Sequence, residues 1–371
     1  MNLNYLIILC LNLNIYLFLS NNKCINNFLF YLKEINQKEI LIIEINHCHG
    51  ECIPGFIKYF NSLGYENFEI LLTYKLYKQK LFDFTYFKYN IKYLIFSKKQ
   101  INKFISLGMC NFYKICLFNT IDNISLKINK LINSNNKFKN IGVLHNKANL
   151  KKKHKFFDNI IVLKKFNSNL PFYEVNPHYF GDYDLNKKSK IINFITAGNL
   201  SDKRKNFKLL INSVDKLIYN NILNFHVKII GSGGRIFKKL AKKKKLMKYI
   251  SFTGRISYSL MYKYISNSDF FLPLLDSKKH KNYISSKTSG SFQLSYGFNI
   301  PMIIEKTFAK VYNFSNNNSI IYNNYEDFYD KLKFAININE EDYNMMKEGL
   351  KLKTKNIELN SLENLKYILS K

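Results

Sequence analysis

The chain predicts an α/β protein of two Rossmann-like domains facing a central cleft, with a short N-terminal helical extension and C-terminal helices. Three observations carry this. Between Ile191 and Ile304, short apolar strands alternate with helical segments, and loops rich in Gly, Ser and basic residues follow three of the strands. A second alternation begins near Glu39: Lys38 to Asn46 has the apolar run of a strand buried on both faces. With 371 residues, the chain is longer than one ordinary domain and suits two.

In chain order, Leu3 to Ser20 is mostly apolar but interrupted by Asn4, Asn12 and Asn14. No cation precedes it, as a secretory signal requires, and it is barely long enough to span a bilayer. It reads as a helical extension packed on the first domain or on a membrane surface, with a spanning anchor as the alternative. After the strand at Glu39 come a polar loop at His47 to Glu51, a helix from about Pro54 to Leu63 ending at Gly64, and a strand at Phe68 to Thr73. Further strands are expected at Ile91 to Phe96, Lys114 to Phe118, Asn140 to Leu144 and Asn159 to Leu163. Phe166 to Lys190, holding Pro171, Pro177 and Gly181, has no clear period and reads as the interdomain connection.

The second domain opens with a strand at Ile191 to Ala197 and a helix whose apolar positions are Phe207, Leu210, Val214 and Leu217. Strands at Phe225 to Ile230, Tyr249 to Thr253, Asp269 to Leu274, Ile300 to Glu305 and Ser319 to Tyr322 follow. Helices at Phe237 to Lys248, Tyr258 to Ser266 and Ser289 to Gly297 lie between them. The tail predicts helices at Glu326 to Ala335, Glu340 to Leu350 and Ser361 to Ser370. The expected division is residues 1–38, extension; 39–180, first domain; 181–355, second domain; and 356–371, terminal helix.

Composition bounds less than it suggests. The 57 basic and 26 acidic residues give +31, which permits anionic partners. Lys, Asn, Ile, Phe and Tyr are over-used throughout while Trp is absent, a pattern of codon drift, so the charge does not choose among partners. Six scattered cysteines point to a reducing compartment. The run His47-Cys48-His49-Gly50-Glu51-Cys52 offers metal-ligand types, yet no second cluster completes a closed zinc site, and no metal is expected. Asp182-Tyr183-Asp184 has an Asp-x-Asp spacing but falls in the connection rather than after a strand. Lys151 to Lys153 and Lys242 to Lys245 read as solvated helix ends. No G-x-G-x-x-G follows a strand, which disfavours a nicotinamide site, and no nucleic-acid module is evident.

Ligands of open parallel sheets bind beyond the carboxyl ends of the strands, so the loops there are the candidate site. Gly198 is followed by Arg204, Lys205 and Asn206 just before a helix. Cations at a helix N-terminus oppose its dipole, and a bound anion would relieve the conflict. Arg204 offers a planar fork of donors and Lys205 a compact charge. Ser289, Gly290 and Ser291 open another helix, whose free N–H groups suit an anion or an ordinary serine cap. The Gly231 loop reads as a tight turn or a phosphate cradle, and Gly254-Arg255-Ile256 as a strand-to-helix turn or a base contact. His49 and Glu51 lie on the loop after the first strand, where the two domains would face each other, with His145-Asn146 after a later strand.

This layout resembles the glycosyltransferases of the GT-B fold, and the second domain resembles the nucleotide-sugar-binding half of the group 1, retaining type. Gly198 with Arg204-Lys205-Asn206 resembles that family's glycine-then-Lys diphosphate motif. Phe252 to Ile256 is similar to its glycine loop near the base, and Ser289-Gly290-Ser291 through Asn299-Ile300-Pro301 to its late helix and G-x-P strand. His47 to Gly55 is similar to the polar loop facing acceptor and sugar. One departure stands out: where many members carry two Glu residues eight positions apart, this chain has Ser286 and Leu294.

The resemblance implies transfer of a sugar, with a hexose expected, from a nucleotide-diphosphate donor to a hydroxyl of a glycan or lipid-linked glycan. It implies a cytoplasmic setting, at the inner face of a membrane, with no metal or other cofactor. The implied catalytic residues are His49, Glu51, Arg204 and Lys205. Those implied for donor binding are Gly198, Asn206, Gly231, Gly254, Arg255, Ile256, Ser289, Gly290 and Ser291. The missing Glu pair motivates the alternative, an inactive GT-B-like protein that binds nucleic acid or an acidic polymer. An epimerase of the same fold would need more acid and base groups than the loops supply.

Overall fold

The computed structural model describes residues 38–122, 138–149, 156–166, 171–184, 189–201 and 203–371. The apolar run at 3–20, Cys10, Cys24 and the lysines at 151–153 lie outside these.

The first domain is a parallel sheet of β1 (Lys38–Glu44), β2 (Asn67–Thr73), β3 (Asn90–Phe96), β4 (Tyr113–Phe118), β5 (Lys139–Leu144), β6 (Asn159–Val162) and β7 (Phe172–Glu174), in the order β3-β2-β1-β4-β5-β6-β7. Its helices include α1 (Ile53–Ser62), α2 (Tyr74–Tyr77) and α3 (Lys98–Ser106). Central strands buried on both faces explain the unbroken apolar run of β1, whose last five residues are all buried. Pro54 opens α1, where a missing N–H costs nothing, and Ser97 with Gln100 forms a reciprocal capping box on α3. The order reverses at β1, so the switch point lies at the carboxyl ends of β1 and β4.

The second sheet is also parallel: β8 (Ile192–Ala197), β9 (Phe225–Ile230), β10 (Ile250–Gly254), β11 (Phe270–Phe271), β12 (Met302–Glu305) and β13 (Ser319–Tyr322), in the order β10-β9-β8-β11-β12-β13. Its helices are α4 (Phe207–Tyr219), α5 (Arg235–Lys243), α6 (Tyr258–Ser266), α7 (Asn282–Ser285), α8 (Gly290–Gly297), α9 (Lys306–Val311) and α10 (Tyr325–Asn337), followed by α11 (Glu340–Ser370). The switch here lies between β8 and β11.

Four expectations are corrected. The stretch from Phe166 to Lys190 is not all connection, because β7 pairs with β6 as the last strand of the first sheet and Val175 is buried in that domain's core. The strand expected to reach Leu274 stops at Phe271: Pro273 has no N–H to give, and Leu274 is left-handed at φ 52°. The helix expected to reach Lys248 ends at Lys243, since Lys245 turns left-handed at φ 55°. The last two tail helices are one, the 31-residue α11. It starts on the second domain, where Tyr343 and Met346 join the core, and ends on the first, where Leu365 and Ile368 are buried. Lys58 pairs with Glu358 at 2.7 Å, and Asn364 donates to the Glu174 carbonyl at 2.9 Å.

The domains also touch directly. A Cβ on Gly55 in α1 would lie 2.6 Å from Pro177, and one on Gly297 in α8 would lie 2.1 Å from the His178 carbonyl. The segment between Asn176 and Phe180 therefore passes tightly between a helix of each domain. Among the described residues, no helix is long and apolar enough to cross a membrane.

Candidate active site

Three adjacent strands of the second sheet end in glycine at the cleft. Gly198 N–H donates to the Ile230 carbonyl and Gly231 N–H to the Gly254 carbonyl, both at 2.9 Å. All three glycines have positive φ: 128°, 143° and 72° for Gly198, Gly231 and Gly254. At Gly231 the requirement is absolute, because a Cβ would sit 1.7 Å from the Gly198 oxygen. The result is a floor with bare backbone at Gly198 and Gly231. It is walled by Arg255, Ile256 and Tyr258 from its own domain and by Lys75 and Lys78 from the first, around a cleft of about 550 Å³.

Lys205 lies behind this floor, only 5% exposed. Its Nζ donates to the Pro273 carbonyl at 2.9 Å and to Ser291 Oγ at 3.1 Å. Neither partner is charged, and burial pulls its pKa down to about 7. The Lys205 cluster and the start of α8 thus meet, 86 residues apart in sequence. Arg204 stays exposed and donates to the Tyr283 hydroxyl on α7 at 3.1 Å. Ser289 caps α8, accepting from Ser291 N–H at 3.4 Å, and Gly290 faces open space. Asn206 departs from its expected place: it is buried, and its side-chain oxygen caps α4 by accepting from Leu209 N–H at 3.3 Å.

Across the cleft, the loop after β1 is held from below by Glu44, a fully buried carboxyl at the strand's end. Oε1 accepts from Asn46 N–H at 2.7 Å and its amide at 3.1 Å, while Oε2 accepts from Asn119 at 2.7 Å and Thr120 at 2.6 Å. Burial outweighs these bonds and raises the Glu44 pKa to about 7. The Asn119 amide also donates to the His49 carbonyl at 2.8 Å, fixing a residue whose φ is 68°. The His49 ring stacks on His145 at 3.9 Å and lies 3.9 Å from Glu51. His145 is kept neutral chiefly by burial, and its Nε2–H donates to the Asn119 carbonyl at 2.7 Å.

Glu51 reaches the second domain, accepting from the Tyr258 hydroxyl at 3.5 Å. His47 turns aside to Thr73 at 3.2 Å. Cys52 is buried against Gln293 while Cys48 is exposed, so the Cys-containing run does not converge on one point. Ser286, standing where the resemblance would place a carboxylate, accepts Lys147 N–H through its carbonyl at 2.8 Å, and Asn146 pairs antiparallel with Lys287. That segment bridges the domains instead.

Reading the sequence missed Glu44, Asn119, Tyr258 and Tyr283. For Glu44 a signal existed: a lone carboxylate closing an otherwise apolar buried strand. For the other three no local pattern marks a neutral side chain whose partner is more than 60 residues away.

Residues 178–277 match the family Glycosyl transferases group 1. No curated protein matches the chain in sequence. The solved structure of Anabaena HepE in complex with UDP and glucose is similar, with TM-score 0.59, 10% identity, and coverage of 90% of this chain and 100% of that one. The sucrose-phosphate synthase of Thermosynechococcus elongatus is similar at TM-score 0.56 and 10% identity, covering 88% and 97%. S. aureus TarM, solved in complex with Fondaparinux, alpha-GlcNAc-glycerol and UDP, gives TM-score 0.50 and 16% identity over 70% of this chain, which spans only 56% of TarM's length. At these identities the likeness establishes the fold. With two Rossmann-like domains around a glycine-floored cleft, the chain has the GT-B fold, and residues 178–277, most of them in its second domain, match the group 1 glycosyl transferases.

Proposed function

We propose that the chain transfers a sugar from a nucleotide-diphosphate donor to a hydroxyl of a saccharide acceptor. One observation carries the reading: Lys205 Nζ bonds Ser291 Oγ at 3.1 Å directly behind Gly198, which lines the interdomain cleft, so cation, helix start and bare backbone lie side by side. In the reaction the bond between the anomeric carbon and the diphosphate oxygen breaks, and a bond to the acceptor oxygen forms. The acceptor's proton leaves with the diphosphate. Charge grows on the departing phosphate, and preorganised donors in a desolvated site stabilise it best. Lys205 has one N–H left beyond its two protein partners, and the start of α8 offers backbone donors beside it. Arg204 and Arg255 supply further charge at the exposed side.

His49 and Glu51 act from the acceptor side, orienting the hydroxyl and the sugar, with retention of anomeric configuration and no metal. Seating against the inner face of a membrane belongs to the same reading. UDP is the first nucleotide to try, since the HepE and TarM complexes contain it. The test is turnover of UDP-, GDP- and ADP-sugars by the full chain, with Lys205→Ala and Arg204→Ala as controls. Expected is turnover of one donor series that falls at least about a hundredfold in Lys205→Ala. No turnover and no nucleotide-dependent shift in melting, with salt-dependent RNA binding instead, would overturn it.

A further inference from the structure

A second cavity opens beside the cleft, and none of the expected site residues lines it. It measures about 630 Å³ and is walled by Tyr74, Tyr77, Phe84 and Tyr93 of the first domain and by Ser259 on α6 of the second. Lys78 lines both this cavity and the donor cleft, so the two adjoin.

Its lining is unlike a solvated surface. Tyr74, Tyr77 and Phe84 are 58%, 42% and 60% exposed, three aromatic rings standing in water around one hollow. Such rings give a flat apolar face to a ligand, and the tyrosines add hydroxyls at the edge. Lys78 and Lys80 share the lining with them, and neither forms an ion pair with a described carboxylate. Lys78 instead lies over the Tyr74 ring at 4.5 Å. One acidic group, Asp83, sits at the rim with its Oδ1 accepting from Thr85 N–H at 3.1 Å.

The cavity is coupled to the acceptor-side loop. Leu81, in its wall, packs so closely on Gly50 that a Cβ there would come within 2.8 Å, and Gln79 donates to the His47 carbonyl at 3.4 Å. A ligand seated here rests on Leu81, which backs the loop that presents His49 and Glu51. We infer that this cavity is the acceptor subsite and that it takes an acidic saccharide, whose ring faces stack on Tyr74 and Phe84 and whose carboxylate or phosphate pairs with Lys78 and Lys80. The volume suits a ligand of one or two sugar rings. A neutral saccharide would use the rings but leave the cations idle, and a lone acyl chain would leave both cations and hydroxyls idle. The inference rests on the transferase reading and deepens it by naming the acceptor class.

The test titrates the full chain by calorimetry with a glucuronate-containing disaccharide, glucose 6-phosphate, a neutral disaccharide and, separately, UDP. The first two distinguish a carboxylate from a phosphate ester. At least one acidic sugar should bind tenfold or more tighter than the neutral one. Lys78→Gln with Lys80→Gln should erase that preference, and Phe84→Ala should weaken both acidic and neutral sugars at least fivefold. All these side chains are exposed, so the variants fold, and UDP affinity in Phe84→Ala checks the donor cleft independently. Equal binding of acidic and neutral sugars, or acidic-sugar binding indifferent to Phe84→Ala, overturns the subsite. Loss of UDP binding in the unaltered chain, with sugar binding intact, overturns the transferase reading instead.

Discussion

Lys205 shows how a buried cation is held at a cost to stability. Its pKa falls from the ordinary 10.5 of the unfolded chain to about 7 because burial strips water from the ammonium, and its two hydrogen-bond partners are neutral oxygens. Between pH 7 and 10.5 the unfolded chain binds the extra proton, so this group makes the fold more stable as pH rises through that window and weakens it fully below pH 7. Lys205→Met should therefore melt higher than the parent at pH 6, by about 2–4 °C for each kcal/mol gained, with the gap closing toward pH 10 in thermal scans. The same variant should lose nucleotide binding. Glu44 carries the opposite sign. Its pKa is raised from 4.5 to about 7, so its contribution is full below pH 4.5 and lost as pH climbs to 7. Glu44→Gln should flatten stability across pH 4.5–7 in urea titrations. It also sets an amide against the Asn119 amide that pins His49, so turnover should drop about tenfold to a hundredfold with donor affinity unchanged. Arg204 and Lys205 stand out in the sequence as candidates because they are charges before a helix. Glu44 was passed over because one carboxylate does not disturb an apolar pattern.

At the scale of elements, the strand-end glycines separate steric from conformational demand. Gly231→Ala meets both a left-handed φ and a backbone oxygen 1.7 Å away, whereas Gly254→Ala meets only φ 72° with nothing within 4 Å. Gly254→Ala should cost about 1–2 kcal/mol in urea unfolding, the ordinary price of a left-handed residue. Gly231→Ala should cost more and also abolish nucleotide binding, because the floor must shift. The strands around these turns were readable from their apolar runs. The three-residue β7 was not, since Phe172–Glu174 is too short to show a period and follows Pro171. The fusion of α11 was hidden for a different reason. Residues 351–360 cross from one domain to the other largely exposed, so they need no apolar stripe to be helical.

For the whole molecule, α11 is the one described helix whose buried residues join both cores. Leu365→Ala removes a fully buried side chain from the first domain alone and should cost about 2–5 kcal/mol there. Calorimetry should then resolve an early transition for that domain, while the second, holding Tyr343 and Met346, melts near its original temperature. The GT-B division was legible in the two strand–helix series, but the tether across it was not, because its contacts are set by tertiary packing between distant segments.

That tether limits how the halves can part. A rod rooted in both cores must bend or pull free at one end before the two come apart. The Lys205–Ser291 pair rides wholly on one half, whereas the hollow beside the cleft takes Ser259 from the other. Any shift of one half against the other would therefore reshape the hollow and leave the lysine's setting as it stands.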